Sequence, residues 1–132
     1  MAGRLRLRVV TPRRELLDRE VDEVRLPGVL GEMGVLPGHT PLLTSLAIGP
    51  LTLFDAGRSE QLVVAGGFAE VLPDAVTVLP RLAERADDID VDAARLQVAE
   101  AAAALATATA EELDEITAAL RLAESRLAVT AS

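Results

Sequence analysis

Apolar and polar residues alternate along residues 4–10, with Leu5, Leu7 and Val9 on one face and Arg4, Arg6 and Arg8 on the other. That period of two predicts a half-buried strand. Short strand-like runs recur at residues 23–26, 34–36, 42–45, 50–54, 61–65, 68–72 and 75–79. Between them stands turn chemistry: two Pro-Gly pairs, Asp55-Ala56-Gly57, Gly66-Gly67 and Pro73-Asp74. Many short strands with close turn signals predict a β-sandwich or barrel.

The period then changes. Across residues 82–90 glycine and proline disappear and alanine takes over, which places a boundary after residue 85. Val91, Ala94, Val98, Ala101, Leu105 and Ala108 step by three and four, as do Leu113, Ile116, Leu120, Ala123 and Leu127. This spacing predicts two amphipathic helices. Asp90 stands where the first helix needs a cap, Thr109 with Glu112 makes a capping box for the second, and Arg121 and Arg126 complement its C-terminal dipole. The fold class is α+β: a β-sandwich over residues 1–85, expected to fold by itself, and a two-helix antiparallel hairpin over 86–132. Alanine forms half of the first helical stripe, so docking of the hairpin is expected to be weak. Residues 106–110 carry neither Gly nor Pro, and nothing in them prevents the helices from joining into one rod of about 58 Å at about 1.5 Å per residue.

Composition narrows the chemistry. Half of the 132 residues are apolar, enough for a real core. No run reaches the length of a membrane span, and the charged start lacks the apolar block of a signal peptide, so a soluble, unexported protein is expected. A net charge of −8 with only two Phe and no Trp or Tyr excludes a generic nucleic-acid binder. All 13 basic residues are Arg, and without Lys there is no Walker-type phosphate loop. Zero cysteines and one histidine argue against disulfides and zinc.

Residues 26–46, LPGVLGEMGVLPGHTPLLTSL, gather four glycines, three prolines and the single histidine, His39. A catalytic His needs a nucleophile or a second ligand, and neither a G-x-S-x-G elbow nor a metal set accompanies it. The segment is a chain of tight turns, with no catalytic residue and no metal ligand. A non-enzymatic adaptor with a sandwich and a coiled-coil tail fits the composition as well.

Residues 26–51, LPGVLGEMGVLPGHTPLLTSLAIGPL, resemble the signature of the epsilon subunit of F-type ATP synthases, whose acidic, glycine-flanked loop leads into a Gly-(Ile/Val)-(Leu/Tyr)-Pro-Gly-His-(Ala/Thr)-Pro-Leu-Leu segment. RVVTPRRELLDREVDEVRLPG is similar to the family's first hairpin, VVAGGFAEVLPDAVTVLPRLAERA to its last sandwich strands, and ADDIDVDAAR to its helical entry. The resemblance implies a ten-stranded sandwich followed by two helices, in a noncatalytic central-stalk subunit of a proton-translocating ATP synthase. It implies as partners the gamma subunit, the c-ring and, through the C-terminal helices, the alpha and beta subunits. It also implies a peripheral position on the cytoplasmic face of the bacterial cell membrane. Glu32 then faces the polar loops of the c-ring, and His39 braces the turn or the gamma contact. In the family, extension of the hairpin into the catalytic head inhibits ATP hydrolysis.

Asp88, Asp90 and Asp92 open like a calcium loop, but Ala93 stands at the required Gly and Ala99 at the closing acid. Some epsilon subunits bind ATP as a regulatory ligand through (Ile/Leu)-Asp-x-x-Arg-Ala and arginines of the second helix. Here Ile89, Asp90 and Ala94 keep that motif and Arg126 matches a helix arginine, while Ala93 replaces the motif Arg, Arg95 is displaced by two residues and Leu122 replaces another Arg. The resemblance thus implies weak ATP sensing and no resident cofactor.

Overall fold

The computed structural model describes residues 3–131. Ten strands come first: β1 (Leu5–Val10), β2 (Glu15–Val21), β3 (Glu23–Gly28), β4 (Gly31–Val35), β5 (Leu42–Ser45), β6 (Ile48–Asp55), β7 (Arg58–Ala65), β8 (Phe68–Val71), β9 (Ala75–Leu79) and β10 (Leu82–Arg85). A short 3-10 turn, Ala86–Asp88, leads to α1 (Val91–Leu105) and α2 (Leu113–Thr130). The strands form two five-stranded sheets, ordered β2-β1-β9-β8-β5 and β10-β7-β6-β3-β4. β1 and β9 run parallel.

Alternation does what it predicts in β1, where Leu5, Leu7 and Val9 are fully buried. They meet Val24, Leu26, Leu51, Leu53, Val76 and Val78 in one core between the sheets, where each large side chain contributes about 1.5–3 kcal/mol. Two strands escaped the periodic reading. In β2 the register shifts opposite Val9 and Val10, so Leu16 and Leu17 are both buried and the alternation breaks. In β10 every residue from Leu82 to Glu84 is half-buried, leaving no period to detect. Of residues 34–36, expected as a strand, only Gly34 and Val35 belong to one, as the end of β4, which starts at Gly31.

The turns hold the sheets at fixed offsets. Gly67 has φ +84, and a Cβ there would lie 2.1 Å from the Leu79 carbonyl oxygen, so only glycine fits. Between β6 and β7, Ala56 adopts a positive φ of 53 next to Gly57. Its N–H donates to Asp22 Oδ2 at 2.8 Å, which ties the left-handed turn to the neighbouring strand connection.

One core position points elsewhere. Leu62, Val63 and Val64 are three successive buried residues, yet Val63 lies outside the intersheet core. It is on the outer face of its sheet, opposite Pro50 on β6 and Glu84 on β10, and α2 packs across β6 and β7 there. Helix α1 packs on α2. Of the predicted helical stripes Ala94, Ala101 and Ala123 are buried, whereas Leu105 and Leu113, flanking the connection, are exposed.

Candidate functional site

The β3–β4 hairpin presents the first candidate surface. Gly28 pairs with Gly31 and Pro27 with Glu32, so the ladder continues to the last residue before the turn. Val29 and Leu30 form the tip, 58% and 100% exposed. Glu32 is also exposed. Two adjacent exposed apolar residues at the end of a fully paired hairpin make the tip a candidate contact surface.

His39 lies on the connection from β4 to β5, where the chain crosses from one sheet to the other. Its N–H donates to the Leu36 carbonyl at 3.2 Å, its Nδ1 lies 2.7 Å from the Thr40 carbonyl oxygen, and the neighbouring Gly38 N–H donates to Pro73 O at 2.7 Å. The Gly38 bond ties the turn to the β8–β9 loop, while both His39 bonds stay within the turn itself. No hydrogen bond links His39 with Glu32 among the described residues. Beyond the turn, the outer face of β5, β8 and β9 exposes Leu43, Phe68 and Leu79, with Phe68 directly paired to Leu79 and Leu43 one step away.

The third candidate is at the helical entry. Asp90 caps α1, accepting from Ala93 N–H at 3.0 Å. Ile89, Asp90 and Arg126 line one cleft with Glu84, Asp88, Ala93 and Gln97, and Ala94 is fully buried next to it. The cleft measures about 160 Å³, below the roughly 300–1,000 Å³ of ordinary ligand pockets. Three carboxylates and one guanidinium line it, a poor balance for a polyphosphate. Leu122 lies in the neighbouring groove between the helices, with Ala101, Ala104, Ile116 and Ala119.

Arg126 departs from its expected role. Neither Arg121 nor Arg126 falls in the last turn of α2, which holds no basic residue, so neither complements the terminal dipole. Arg126 instead donates from Nε to Glu84 Oε1 at 2.7 Å, from Nη2 to Glu84 Oε2 at 2.8 Å and from Nη1 to Gln97 Oε1 at 3.0 Å. The Glu84 carboxylate raises the Arg126 pKa, chiefly by hydrogen bonding, against a smaller opposing effect of burial. The capping box at the start of α2 forms in half: Glu112 Oε1 accepts from the Thr109 N–H and hydroxyl, both at 3.0 Å, which lowers its pKa. The reciprocal half is missing among the described residues: no side chain caps α2, and the Thr109 hydroxyl donates to Glu112 without accepting from a backbone N–H of the helix.

Sequence reasoning missed Glu84, Gln97 and Leu30. The triple buried run Leu62-Val63-Val64 was the available signal that the sheet carrying Glu84 is covered on both faces. Among the described residues no helix is long and apolar enough to cross a membrane, and no cluster of His, Cys, Asp or Glu is arranged to hold a metal ion.

The sandwich sequence matches a known family. The family described as ATP synthase, Delta/Epsilon chain, beta-sandwich domain matches residues 4–86, nearly the whole sandwich. The chain belongs to the ATP synthase epsilon-chain family. It is 46% identical over 114 residues to the ATP synthase epsilon chain of Geobacter sulfurreducens, covering 86% of this chain and 83% of that one. It is 45% identical over 129 residues to that of Solibacter usitatus, covering 97% and 96%. Among solved structures, a chain of the Euglena gracilis mitochondrial ATP synthase, determined as an OSCP/F1/c-ring assembly, superposes with a TM-score of 0.84 at 26% identity, covering 97% of this chain and 82% of that chain. A chain from the Tetrahymena thermophila central stalk and c-ring shares the fold, with a TM-score of 0.55 at 15% identity, covering 66% of this chain and 70% of that chain. As an epsilon-family chain this is a noncatalytic subunit of a rotary ATP synthase, and family membership decides against a generic adaptor.

Proposed function

We propose that this epsilon-family chain couples the gamma shaft to the c-ring of a proton-translocating ATP synthase at the cytoplasmic face of the bacterial membrane, held there by the complex. The observation that carries this reading is the β3–β4 tip, where Leu30 is fully exposed on a hairpin paired up to the turn. Leu30 and Val29 supply apolar contact and Glu32 a carboxylate for a basic group on the c-ring loops. Leu43, Phe68 and Leu79, near the turn that carries His39, offer gamma an apolar face. Torque then passes through a body whose sheets share one core and whose connections are short.

The C-terminal hairpin is the regulatory part. Opened, its helices reach the alpha and beta subunits and restrain ATP hydrolysis. ATP is a poor ligand for it, because the cleft that holds Ile89, Asp90 and Arg126 is small and acidic. Deleting residues 86–132 from the assembled enzyme tests the assignment: hydrolysis should rise while proton pumping stays coupled to it. Unchanged hydrolysis overturns the regulatory role, and lost coupling overturns the division of labour.

A further inference from the structure

Arg126 supplies every side-chain hydrogen bond between α2 and the rest of the protein among the described residues. Two of its bonds go to β10 and one to α1. No other side-chain hydrogen bond joins either helix to a sheet, and none other joins α1 to α2. The buried apolar contacts around it are Val129 of α2, Val63 of the sheet beneath and the small residues Ala94, Ala101 and Ala123, and Ser125 is the one buried polar side chain among the described residues. Alanine and serine bury little area, so beside these two valines the polar tether is what fixes the orientation of the hairpin on the sheet.

We propose that Arg126 is an internal clasp that sets the resting state of the hairpin, keeping both helices folded on the sandwich with no ligand bound. The geometry suits that role. The planar guanidinium fork matches the Glu84 carboxylate through two parallel bonds, and its third nitrogen reaches Gln97 without moving. All three elements therefore close together. Loss of Glu84 removes the polar tie between α2 and β10 and at the same time the anchor that orients Arg126 toward α1. Lysine cannot replace it, because a single ammonium on a flexible stem does not hold a carboxylate by two bonds and an amide by a third. The cleft has no second cation to bring in a polyphosphate: Glu84, Asp88 and Asp90 surround Arg126, and its charge is already matched by Glu84. The chain thus carries its own closing contact where a nucleotide-dependent tail needs a ligand.

The inference rests on the regulatory reading of the hairpin only for its consequence, and the isolated full-length subunit tests the clasp itself. Hydrogen exchange is compared for wild type, Glu84→Gln, Arg126→Lys and the charge swap Glu84→Arg with Arg126→Glu. Both single variants should accelerate exchange in α1 and α2 by about tenfold to a hundredfold, the equilibrium equivalent of losing a charge-assisted hydrogen bond, with sandwich amides still protected. The swap should restore part of the protection, and millimolar ATP should add none to wild type. Hairpin exchange unchanged in both single variants overturns the clasp, as does strong protection of wild type by ATP. Helices that open in these variants without altering hydrolysis in the assembled enzyme support the clasp and overturn the regulatory reading instead.

Discussion

Arg126 on α2 and Glu84 on β10 meet through two bonds of 2.7 and 2.8 Å, with their side chains only 20% and 23% exposed. The pair joins residues 42 positions apart and fixes the helical hairpin to a sheet whose core faces the other way. Partial burial protects the attraction from screening, and two parallel bonds hold it in one orientation.

The pair should therefore show an energetic coupling. A double-mutant cycle with Glu84→Ala and Arg126→Ala, followed by loss of the far-UV helical signal, should give a coupling of about 1–2 kcal/mol that declines little with added salt. A coupling near zero, or one abolished by moderate salt, contradicts the packing described here.

Gly67→Ala should be among the most destabilising single substitutions in the sandwich. The left-handed φ of +84 and the 2.1 Å approach to the Leu79 carbonyl leave no space for a methyl group. Backbone strain and displaced packing together should cost at least about 2 kcal/mol by urea unfolding. A loss of a few tenths means that the β7–β8 and β9–β10 turns move apart easily.

Much of the sandwich was legible where a strand has one dry face and one wetter one. In β1 that contrast is clear, with Leu5, Leu7 and Val9 at 0% exposure between exposed or half-buried neighbours. β2 was hidden by its irregular register around Leu16, and β10 by intermediate burial on both faces. The helices announced themselves by spacing and by Asp90, but their partner sheet did not. Glu84 reads as one acid among 21 until tertiary folding brings it to Arg126. Glu32 and Leu30 have the opposite difficulty: both are exposed, and no contact among the described residues explains them.

Acid should weaken the sandwich through its arginine–aspartate bonds. Arg19 and, to a lesser degree, Arg4 hold the Asp55 carboxyl below its ordinary value of 3.8, and Arg6 does the same for Asp18. A lowered folded-state pKa means that the unfolded chain binds the proton more readily. The stabilisation is therefore in place above pH 3.8 and is lost as pH falls through the folded-state value. In urea titrations between about pH 6 and pH 2.5, Asp55→Asn should be less stable than wild type at the upper end and approach it at the lower. Parallel curves rule this out.

Residues 1–85 should fold without the hairpin, since the intersheet core contains no helical residue. Truncation leaves Val63 and its neighbours uncovered, so the fragment should keep dispersed amide signals but lose stability and self-associate at high concentration. A molten or unfolded fragment places the boundary elsewhere.

Rotor coupling through the β3–β4 tip is tested most directly by cross-linking in the assembled ATP synthase. The chain contains no cysteine, so Glu32→Cys introduces a single reactive site into this subunit, to be paired with a cysteine placed in a polar loop of the c subunit. The account predicts a specific epsilon–c product under mild oxidation, with proton pumping preserved because the two parts turn together. The same c-loop cysteine should give no product with a control cysteine at Ser59, on the β6–β7 end of the sandwich. Failure to cross-link through position 32, with an equal or greater yield from Ser59→Cys, would place the c-ring on another face and contradict the central claim.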